Sequence, residues 1–431
     1  MSSRRKFLRL TGAAAAATAA VSVTGLPELS AQEKGALPES IAAIPSMRSQ
    51  AKPITVDERK QRIERARELM RANNLGGVFM IGGTSLVYFT GIRWWNSERL
   101  GALLLLQNGK HFFVAPFFEE QRLREQVSQG PLAGEADVLT WNEHEDPYAL
   151  VAKGLRDRGV TTGQLGIEER TTFVFSDGVA KALPAMKTVS GTPVTAGCRM
   201  IKSAHELELM QLANNATLKV YEAVWKALKP GMKQDEAENL LTQGFHKVGF
   251  PGGASVQVGQ YTANPHGSLT PQVLEEGTII MIDDGCNVEG YQSDITRTFV
   301  IGKPTDKMKQ VFDIVHRAQA AALAAARPKA QAQSVDAAAR KVIVDAGYGP
   351  DYKYFGHRLG HGIGMDGHEW PYLVRGDTLP LQPNMTFSDE PGIYIQGEFG
   401  VRLEDDMHIT QDGAQLFTPQ SPSLEEPFAA A

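Results

Sequence analysis

The sequence predicts an α/β (α+β) protein with two domains, a smaller one over residues 54–198 and a larger one over residues 199–423. In the smaller domain, helical patterns alternate with short β-branched and aromatic runs. In the larger domain, a pair of helices followed by strands occurs twice, and the Pro and Gly stops of the helices recur 98 residues apart. A length of 431 residues is sufficient for two hydrophobic cores.

The first 31 residues are typical of an export signal. Arg4, Arg5 and Lys6 precede an Ala-rich apolar run over residues 12–23. The adjacent arginines favour the twin-arginine route and therefore a periplasmic or extracellular location. The alternative is a short amphipathic anchor or a chance basic tail. The apolar run is too short for a comfortable membrane span. No stable membrane span is expected elsewhere, and residues 32–53, rich in Pro, Ala and Ser, are predicted to be a linker.

The net charge indicates which class of partner to exclude, and the cysteine content indicates whether disulfides hold the fold. The net charge is −5 for the whole chain and −8 without the first 31 residues. This acidic balance argues against nucleic acid as a partner. Cys198 and Cys286 are too few for a disulfide framework, and we expect two buried, unpaired thiols rather than a pair.

The smaller domain opens with a helix predicted over residues 56–73 and capped by Thr55. Three buried strands follow, predicted over residues 77–81, 102–106 and 111–114. An aromatic stretch between the first two strands contains Trp94, Trp95 and Arg99. Such stretches usually pack in or around a core, and the alternative is that one of these side chains reaches a substrate site. The domain boundary is predicted over residues 184–198.

The larger domain opens with a capping box formed by Ser203 and Glu206. Four helices are predicted, over residues 203–229, 234–248, 305–327 and 335–346. The first pair of helices leads into a hairpin with strands over residues 277–283 and 295–300. The second pair leads into strands near Glu390 and Glu404. The repeated order suggests an internal duplication that encloses a site between two half-sheets.

Five metal-ligating side chains lie on or beside these strands. Asp283 and Asp294 end neighbouring strands of the hairpin, and two such carboxylates repel each other unless a proton or a cation lies between them. The ordinary alternative is a pair of solvated acids. His361, Glu390 and Glu404 follow downstream. Four carboxylates and one imidazole suit two divalent ions such as Mn, Co or Zn better than one structural zinc.

These residues resemble a known family. The segments IDDG, GYQSDITRTF, HRLGHGIGMDGHEWP, FSDEPGIY and GVRLEDD match, in order, the motifs of the pita-bread metallopeptidases. Within that family the chain is similar to the Xaa-Pro aminopeptidase and Xaa-Pro dipeptidase (prolidase) branch, over residues 55–420. The resemblance implies a pita-bread catalytic domain with internal pseudo-twofold symmetry, preceded by a smaller creatinase/prolidase-like α/β domain.

The resemblance also implies an activity. It indicates an exported dinuclear-metal peptidase that hydrolyses Xaa-Pro bonds at the N-terminus of peptides or in dipeptides, by attack of a metal-bridged hydroxide. Asp294 and Glu404 would bridge the two ions, Asp283 would complete one of them, and His361 with Glu390 would complete the other. Mn(II) is the expected metal, with Zn or Co as alternatives, and a homodimer or tetramer is the expected assembly.

Further roles follow from the same resemblance. Glu390 would carry a proton to the departing amine, and His266 and His368 would face the reacting carbonyl. His357 and Arg402 would bind the proline-containing peptide, since a guanidinium can hold a carboxylate or carbonyl with two parallel hydrogen bonds. The alternative for Arg402 is a structural ion pair with Glu404 or Asp406.

The ligand set also separates the peptidase from functions of other classes. A metal-independent, creatinase-like C–N hydrolase would share the fold but would not need five ligands. A non-catalytic peptide-binding relative would be expected to have lost ligands, and all five are present here. A methionine aminopeptidase would be shorter, and a carbon–sulfur lyase of the family would have altered ligands. The complete set therefore favours the peptidase.

Overall fold

The computed structural model describes residues 36–428 of the chain. The predicted export signal lies outside these residues. None of the helices within them combines the length and the apolar character that a bilayer span requires. Both cysteines are buried free thiols, as predicted.

The end of the predicted linker packs against the larger domain instead of connecting two bodies. A short helix, α1 (Glu39–Ala42), places Ile41 in a fully buried position. The Ser40 hydroxyl donates to the Ala223 carbonyl at 2.7 Å. The linker prediction is therefore wrong for these residues, because composition does not reveal that a few apolar side chains in a Pro- and Ala-rich stretch find a partner.

The smaller domain is built on a six-stranded sheet in the order β4-β3-β2-β1-β5-β6. Its strands are β1 (Leu75–Ile81), β2 (Ala102–Leu106), β3 (His111–Pro116), β4 (Ala136–Trp141), β5 (Gly163–Ile167) and β6 (Met186–Ser190). Only β2 runs antiparallel to its neighbours. The other five strands therefore end at one common edge of the sheet, and the loops after them lie side by side.

Helices cover both faces of this sheet. They are α2 (Val56–Ala72), α3 (Thr84–Thr90), α4 (Glu120–Gln129), α5 (Pro147–Arg156), α6 (Phe173–Ala182) and α7 (Thr192–Arg199). Along β1, Val78 and Met80 enter one core while Phe79 and Ile81 enter the other. This alternation is the two-residue period of a strand, and burial on both faces explains its continuous apolar run. The predicted helix with its Thr55 cap is confirmed.

The first half of the larger domain places two helices against a small antiparallel sheet. Its elements are α8 (Ala204–Trp225), α9 (Gln234–Val248), β7 (Gly252–Val258), β8 (Ile279–Val288), β9 (Tyr291–Gln292) and β10 (Arg297–Val300). The predicted hairpin is present, with Arg297 opposite Ile282. However, β8 continues past Asp283 to Val288 and pairs with β9, so Asp294 lies in the connection from β9 to β10.

The second half repeats this order, with a pair of helices followed by antiparallel strands. Its elements are α10 (Asp306–Ala325), α11 (Ala332–Asp345), β11 (Gly360–Gly362), β12 (Glu369–Leu373), β13 (Thr386–Asp389), β14 (Gly392–Ile395), β15 (Phe399–Arg402), β16 (Asp405–Ile409) and β17 (Ala414–Leu416). The strand-like stretch predicted around Glu404 is broken, since β15 ends at Arg402 and β16 begins at Asp405. Glu390 lies in a similar break between β13 and β14.

Candidate metal centre

Asp283 and Asp294 come from the first half of the larger domain. The Thr296 hydroxyl donates to Asp283 Oδ1 at 2.6 Å, and the Asp294 amide donates to Asp406 Oδ2 at 3.0 Å. Burial, followed by the charges of Asp283 and Asp406, raises the pKa of Asp294 well above its ordinary value. The ionised form of this aspartate therefore requires a positive charge nearby.

His361, Glu390 and Glu404 come from the second half. His361 lies on β11 and is 1% exposed. Its Nε2 atom lies 3.4 Å from Glu390 Oε1 and 3.9 Å from Asp294 Oδ2. The two halves of the domain therefore place carboxylates around one imidazole.

The donor atoms of these side chains form two groups that share one member. Asp283, Asp294 and Glu404 form the first group, and His361, Glu390 and Glu404 form the second, with the donor atoms of each group within 4.8 Å of one another. A third combination, also within that distance, joins Asp294 and His361 to His368. The five residues predicted as ligands are thus brought together around two adjacent spaces.

Burial makes this cluster electrostatically unbalanced. Burial, with Asp294 and Glu390 as neighbours, raises the pKa of Glu404 well above its ordinary value. Burial also raises the pKa of Glu390 to about 8, although the Arg402 guanidinium opposes the shift. The positive charge that the chain itself supplies is therefore too small to keep these carboxylates ionised.

The imidazole of His361 gives a direct test of whether the site fits metal ions. Burial and the neighbouring His368 lower the pKa of His361 to about 3, so the ring is neutral near pH 7. Its Nδ1 atom lies 3.2 Å from the Gly362 carbonyl, which can only accept, so the proton resides on Nδ1. Nε2 then directs a lone pair at the carboxylates of Glu390 and Asp294. A cation between these acceptors removes the repulsion, and the oxygen-rich donor set fits a divalent ion.

Thr296 is a part of the site that sequence reasoning missed. Its hydroxyl lies 2.6 Å from both Asp283 Oδ1 and Glu404 Oε2, and it accepts a hydrogen bond from Arg402 Nε at 2.9 Å. It therefore connects carboxylates from the two halves. The available signal was its place in the motif, two residues after Asp294.

Arg402 lies beside the ligands with its donors already occupied. Its Nη2 donates to Asp283 Oδ2, and its Nη1 donates to the Pro265 carbonyl and to the Tyr394 hydroxyl, each at 3.1 Å. The side chain is 3% exposed. These contacts favour the structural ion pair over a guanidinium open to substrate. The nearest carboxylate partner is Asp283, and the predicted partner Glu404 also lies within ion-pair distance, with its Oε2 3.9 Å from Arg402 Nε.

His357 lies on the wall of the same pocket. Its Nδ1 lies 2.8 Å from the Arg358 carbonyl, so Nδ1 carries the proton, and its Nε2 accepts from the Tyr394 hydroxyl at 2.7 Å. Burial and the charge of Arg402 lower the pKa of His357 to about 3. His357 is therefore a neutral ring that is held by a hydrogen bond from Tyr394. Like Thr296, Tyr394 is a residue of the site that the sequence analysis did not single out.

His266 and His368, the two histidines predicted to face the reacting carbonyl, both have exposed side chains. The His368 ring stacks on His361, with ring centroids 3.6 Å apart. Burial, then the charges of Arg358 and His266, lower the pKa of His368. His266 also contributes to the lowered pKa of His357. His266, His357 and His368 therefore lie close enough to influence one another, and the lowered pKa values of His357 and His368 leave these two rings neutral near pH 7.

Comparisons with known proteins agree with this geometry. Residues 208–411 match the model of "Metallopeptidase family M24", and residues 62–201 match "Creatinase/Prolidase N-terminal domain". The chain is 31% identical to the Xaa-Pro dipeptidase of Lactobacillus delbrueckii subsp. lactis, over 84% of this chain and 98% of that protein. The crystal structure of dipeptidase PepE from Mycobacterium ulcerans is similar with a TM-score of 0.81 and 34% identity, covering 87% of this chain and 99% of that one. The prolidase structure from Thermococcus sibiricus is similar with a TM-score of 0.76 and 29% identity, covering 85% and 98%.

Proposed function

Because the chain belongs to metallopeptidase family M24 and carries the creatinase/prolidase N-terminal domain, we propose that it is an exported, dinuclear Xaa-Pro peptidase. It would cleave the bond before proline at the N-terminus of peptides or in dipeptides. The observation that carries the proposal is the pair of three-residue donor groups that share Glu404. A single structural ion would need only one of them.

The two groups indicate which residues would hold the ions. Asp283 would belong to one ion and His361 with Glu390 to the other, while Glu404 and Asp294 would serve both, since Asp294 lies 3.9 Å from the His361 nitrogen. Two divalent ions, when bound, would supply the positive charge that the cluster lacks, lower the pKa of a water and polarise the substrate carbonyl. We propose Mn(II) as the native metal, with Zn and Co as alternatives to be compared by reconstitution.

The remaining steps belong to side chains of this chain. Glu390, whose Oε1 lies 3.4 Å from His361 Nε2 beside the reacting centre, would take up a proton and deliver it to the departing proline nitrogen. His266 and His368, exposed in the pocket, would donate N–H groups to the carbonyl oxygen as negative charge develops on it. His357 would form a neutral wall for the proline ring, with Tyr394 fixing its orientation.

Metal analysis and activity with matched substrates test this proposal. The purified protein is expected to contain two divalent ions per chain, to lose activity with a chelator and to regain it with Mn(II). Full activity of a metal-free preparation would instead support the creatinase-like hydrolase. Comparing Xaa-Pro with Xaa-Ala substrates tests the preference for proline, and comparing a dipeptide with a longer peptide separates dipeptidase from aminopeptidase. Equal cleavage of Xaa-Pro and Xaa-Ala would refute the preference while leaving the peptidase intact.

Export is proposed from the residues that precede the described chain. Arg4 and Arg5 followed by the Ala-rich run support the twin-arginine route to the periplasm or beyond. The double substitution Arg4→Lys, Arg5→Lys should leave the precursor in the cytoplasm of a bacterial host, measured by fractionation and immunoblotting. Unchanged export of the double variant would refute the route.

A homodimer or tetramer is proposed on the family resemblance. Light scattering of the metal-loaded protein tests it, and a monomer at micromolar concentration would contradict it.

A further inference from the structure

A second cluster of buried charge joins the two domains. Arg199 lies one residue past the predicted boundary, but it is the last residue of α7, whose Val194 and Cys198 pack in a core of the smaller domain, and we therefore count it with that domain. It donates from Nη2 to Asp366 Oδ2 at 2.6 Å and also to the Glu369 carboxylate. Lys202 donates from Nζ to Glu369 Oε1 at 2.6 Å. Arg199, Lys202 and Glu369 are each less than a tenth exposed. Two positive and two negative groups therefore balance one another inside the protein.

Asp366 receives further contacts from the smaller domain. The Thr84 hydroxyl, at the start of α3, donates to Asp366 Oδ1 at 2.6 Å. Arg170, in the loop after β5, lies 3.2 Å from Asp366 Oδ2 and donates to the His368 carbonyl at 3.3 Å. Both residues come from the edge at which the parallel strands of the smaller domain end. That edge therefore holds a segment of the larger domain.

The segment held in this way is the connection from β11 to β12, residues 363–368, which we name the His368 loop. Asp366 precedes His368 by two residues, and Glu369 follows it directly, so buried ion pairs fix the backbone on both sides. The loop is also tightly packed, because a Cβ atom on Gly364 would lie 2.5 Å from Glu369 Oε1 and 2.9 Å from Lys202 Cε. The His368 side chain itself remains exposed.

We propose that Thr84 and Arg199 of the smaller domain are positioning residues for His368, acting through Asp366. The smaller domain would thereby take part in catalysis without contacting the substrate. His368 has stacking on His361 as its main side-chain contact, so its ring is placed by the backbone that carries it. A small displacement of a group that donates to a developing oxyanion lowers the rate of the chemical step more than it lowers substrate affinity. The inference rests on the catalytic role proposed for His368.

Thr84→Val is the most conservative test of the contact between Thr84 and Asp366, because it removes one hydroxyl and keeps the shape of the side chain. We expect kcat to fall about tenfold, in the range found for residues that orient an active-site group, with KM within about twofold of the wild type. Metal content should be unchanged. Thr84→Ser restores the hydroxyl and should recover most of kcat.

Thr90→Val is the matched control. Thr90 lies at the other end of α3, and its hydroxyl donates to the Leu86 carbonyl at 2.6 Å and accepts from the Ile92 amide, away from the His368 loop. Its substitution removes a buried hydroxyl from the same helix, so it should cost stability and leave kcat unchanged. Equal kcat values for Thr84→Val and Thr90→Val would overturn the inference.

A double-substitution cycle shows whether Thr84 acts through His368. In a His368→Ala background, Thr84→Val should cause no further loss of kcat. Losses that multiply would show that Thr84 acts elsewhere and would overturn the inference. If His368→Ala alone leaves kcat at the wild-type value, the catalytic role of His368 fails and the inference fails with it. If His368→Ala is impaired while Thr84→Val matches the wild type, only the inference fails.

Discussion

The carboxylates of Glu369 and Glu404 are both almost wholly buried, yet their surroundings change their pKa values in opposite directions. Burial alone would raise the pKa of Glu369, but Lys202 and Arg199 outweigh burial and hold it below its ordinary value. Burial raises the pKa of Glu404, and the acidic neighbours Asp294 and Glu390 raise it further. Burial is common to both sites, so the difference comes from the charges that the chain places beside each carboxylate.

This difference distinguishes a structural cluster from a site that requires a ligand. The cluster of Arg199, Lys202, Asp366 and Glu369 is complete, and every charge in it has a partner of opposite sign. The metal centre places four carboxylates around one neutral imidazole, and the Arg402 guanidinium pairs with one of these carboxylates, Asp283. Buried charge that the chain leaves uncompensated is expensive, and proteins retain it where a cation completes the set.

The largest effect is expected from Asp294→Ala. This substitution removes an oxygen donor from the position that lies between the two groups, so both ions should bind more weakly. We expect kcat/KM to fall by more than about 10³-fold, beyond the 10–100-fold typical of residues that only support a ligand. Elemental analysis should show fewer than two ions per chain. Asp412→Ala, on the surface, is the control, and full metal content with full activity in Asp294→Ala would contradict the assignment.

In contrast to Asp294→Ala, Glu369→Gln should lower the stability of the fold and leave the metal content unchanged. It leaves Lys202 without its carboxylate inside the protein, and removal of one partner of a buried ion pair costs about 3–5 kcal/mol in the free energy of unfolding. Because Glu369 belongs to neither donor group, metal content should stay at the wild-type value. Urea unfolding of the metal-saturated protein measures the loss. A stability equal to the wild type, or a loss of metal without a loss of stability, would remove the distinction between the clusters.

After metal removal, the pH dependence of the free energy of unfolding should reveal the uncompensated carboxylates. The pKa of Glu390 is about 8 in the folded chain, against an ordinary value of 4.5. The folded state therefore binds more protons than the unfolded state between these values, and this contribution to stability is present at low pH and lost as the pH rises towards 8. We expect the free energy of unfolding of the chelated protein to fall by about 3–4 kcal/mol between pH 5 and 8.

The metal-loaded protein should respond to pH in the opposite sense, because ions and protons compete for the same carboxylates. Glu390→Gln is neutral at every pH and should reduce the slope of the chelated protein. Thermal unfolding at several pH values measures both slopes. Parallel slopes with and without metal would show that these carboxylates are not the ligands.

The sequence revealed the metal centre better than it revealed the ion-pair cluster around Glu369. Asp283 lies within β8 and His361 within β11, while Asp294, Glu390 and Glu404 lie in connections between strands. All five fall within the short motif segments that made the site recognisable in the sequence. The partners of Glu369 are Arg199 and Lys202, about 170 positions away, and no local period or spacing connects them. Pairings between domains depend on how the domains pack, which one sequence does not show.

The same limit applies to side chains that are polar but uncharged. Thr296 and Tyr394 lie within the recognised motifs, yet a threonine or tyrosine on a strand is ordinary, and only the structure shows what their hydroxyls contact. Helices and strands with strong periodicity were predicted closely, as β2 shows at residues 102–106. The break at Leu403 and Glu404 was not, because the local run is strand-like and the break is imposed by the two strand pairings on either side.

Arg402→Lys is expected to have the smallest effect of the four, and it tests how much the hydrogen-bonding geometry of the guanidinium, as distinct from its charge, contributes to the metal centre. Lysine keeps the charge but cannot contact Asp283, Thr296 and Tyr394 at once as the guanidinium does. We expect a loss of about 1–3 kcal/mol of transition-state stabilisation, the range for hydrogen bonds to charged groups, in kcat/KM for Xaa-Pro substrates. If Arg402 acts by holding Asp283, metal affinity measured by competition with a chelator should weaken as well, and Xaa-Ala cleavage should fall by the same factor. If Arg402 instead binds the peptide, only Xaa-Pro cleavage should fall, with metal affinity unchanged. That second result would return Arg402 to the substrate pocket and show that its contact with Asp283 does not govern metal affinity.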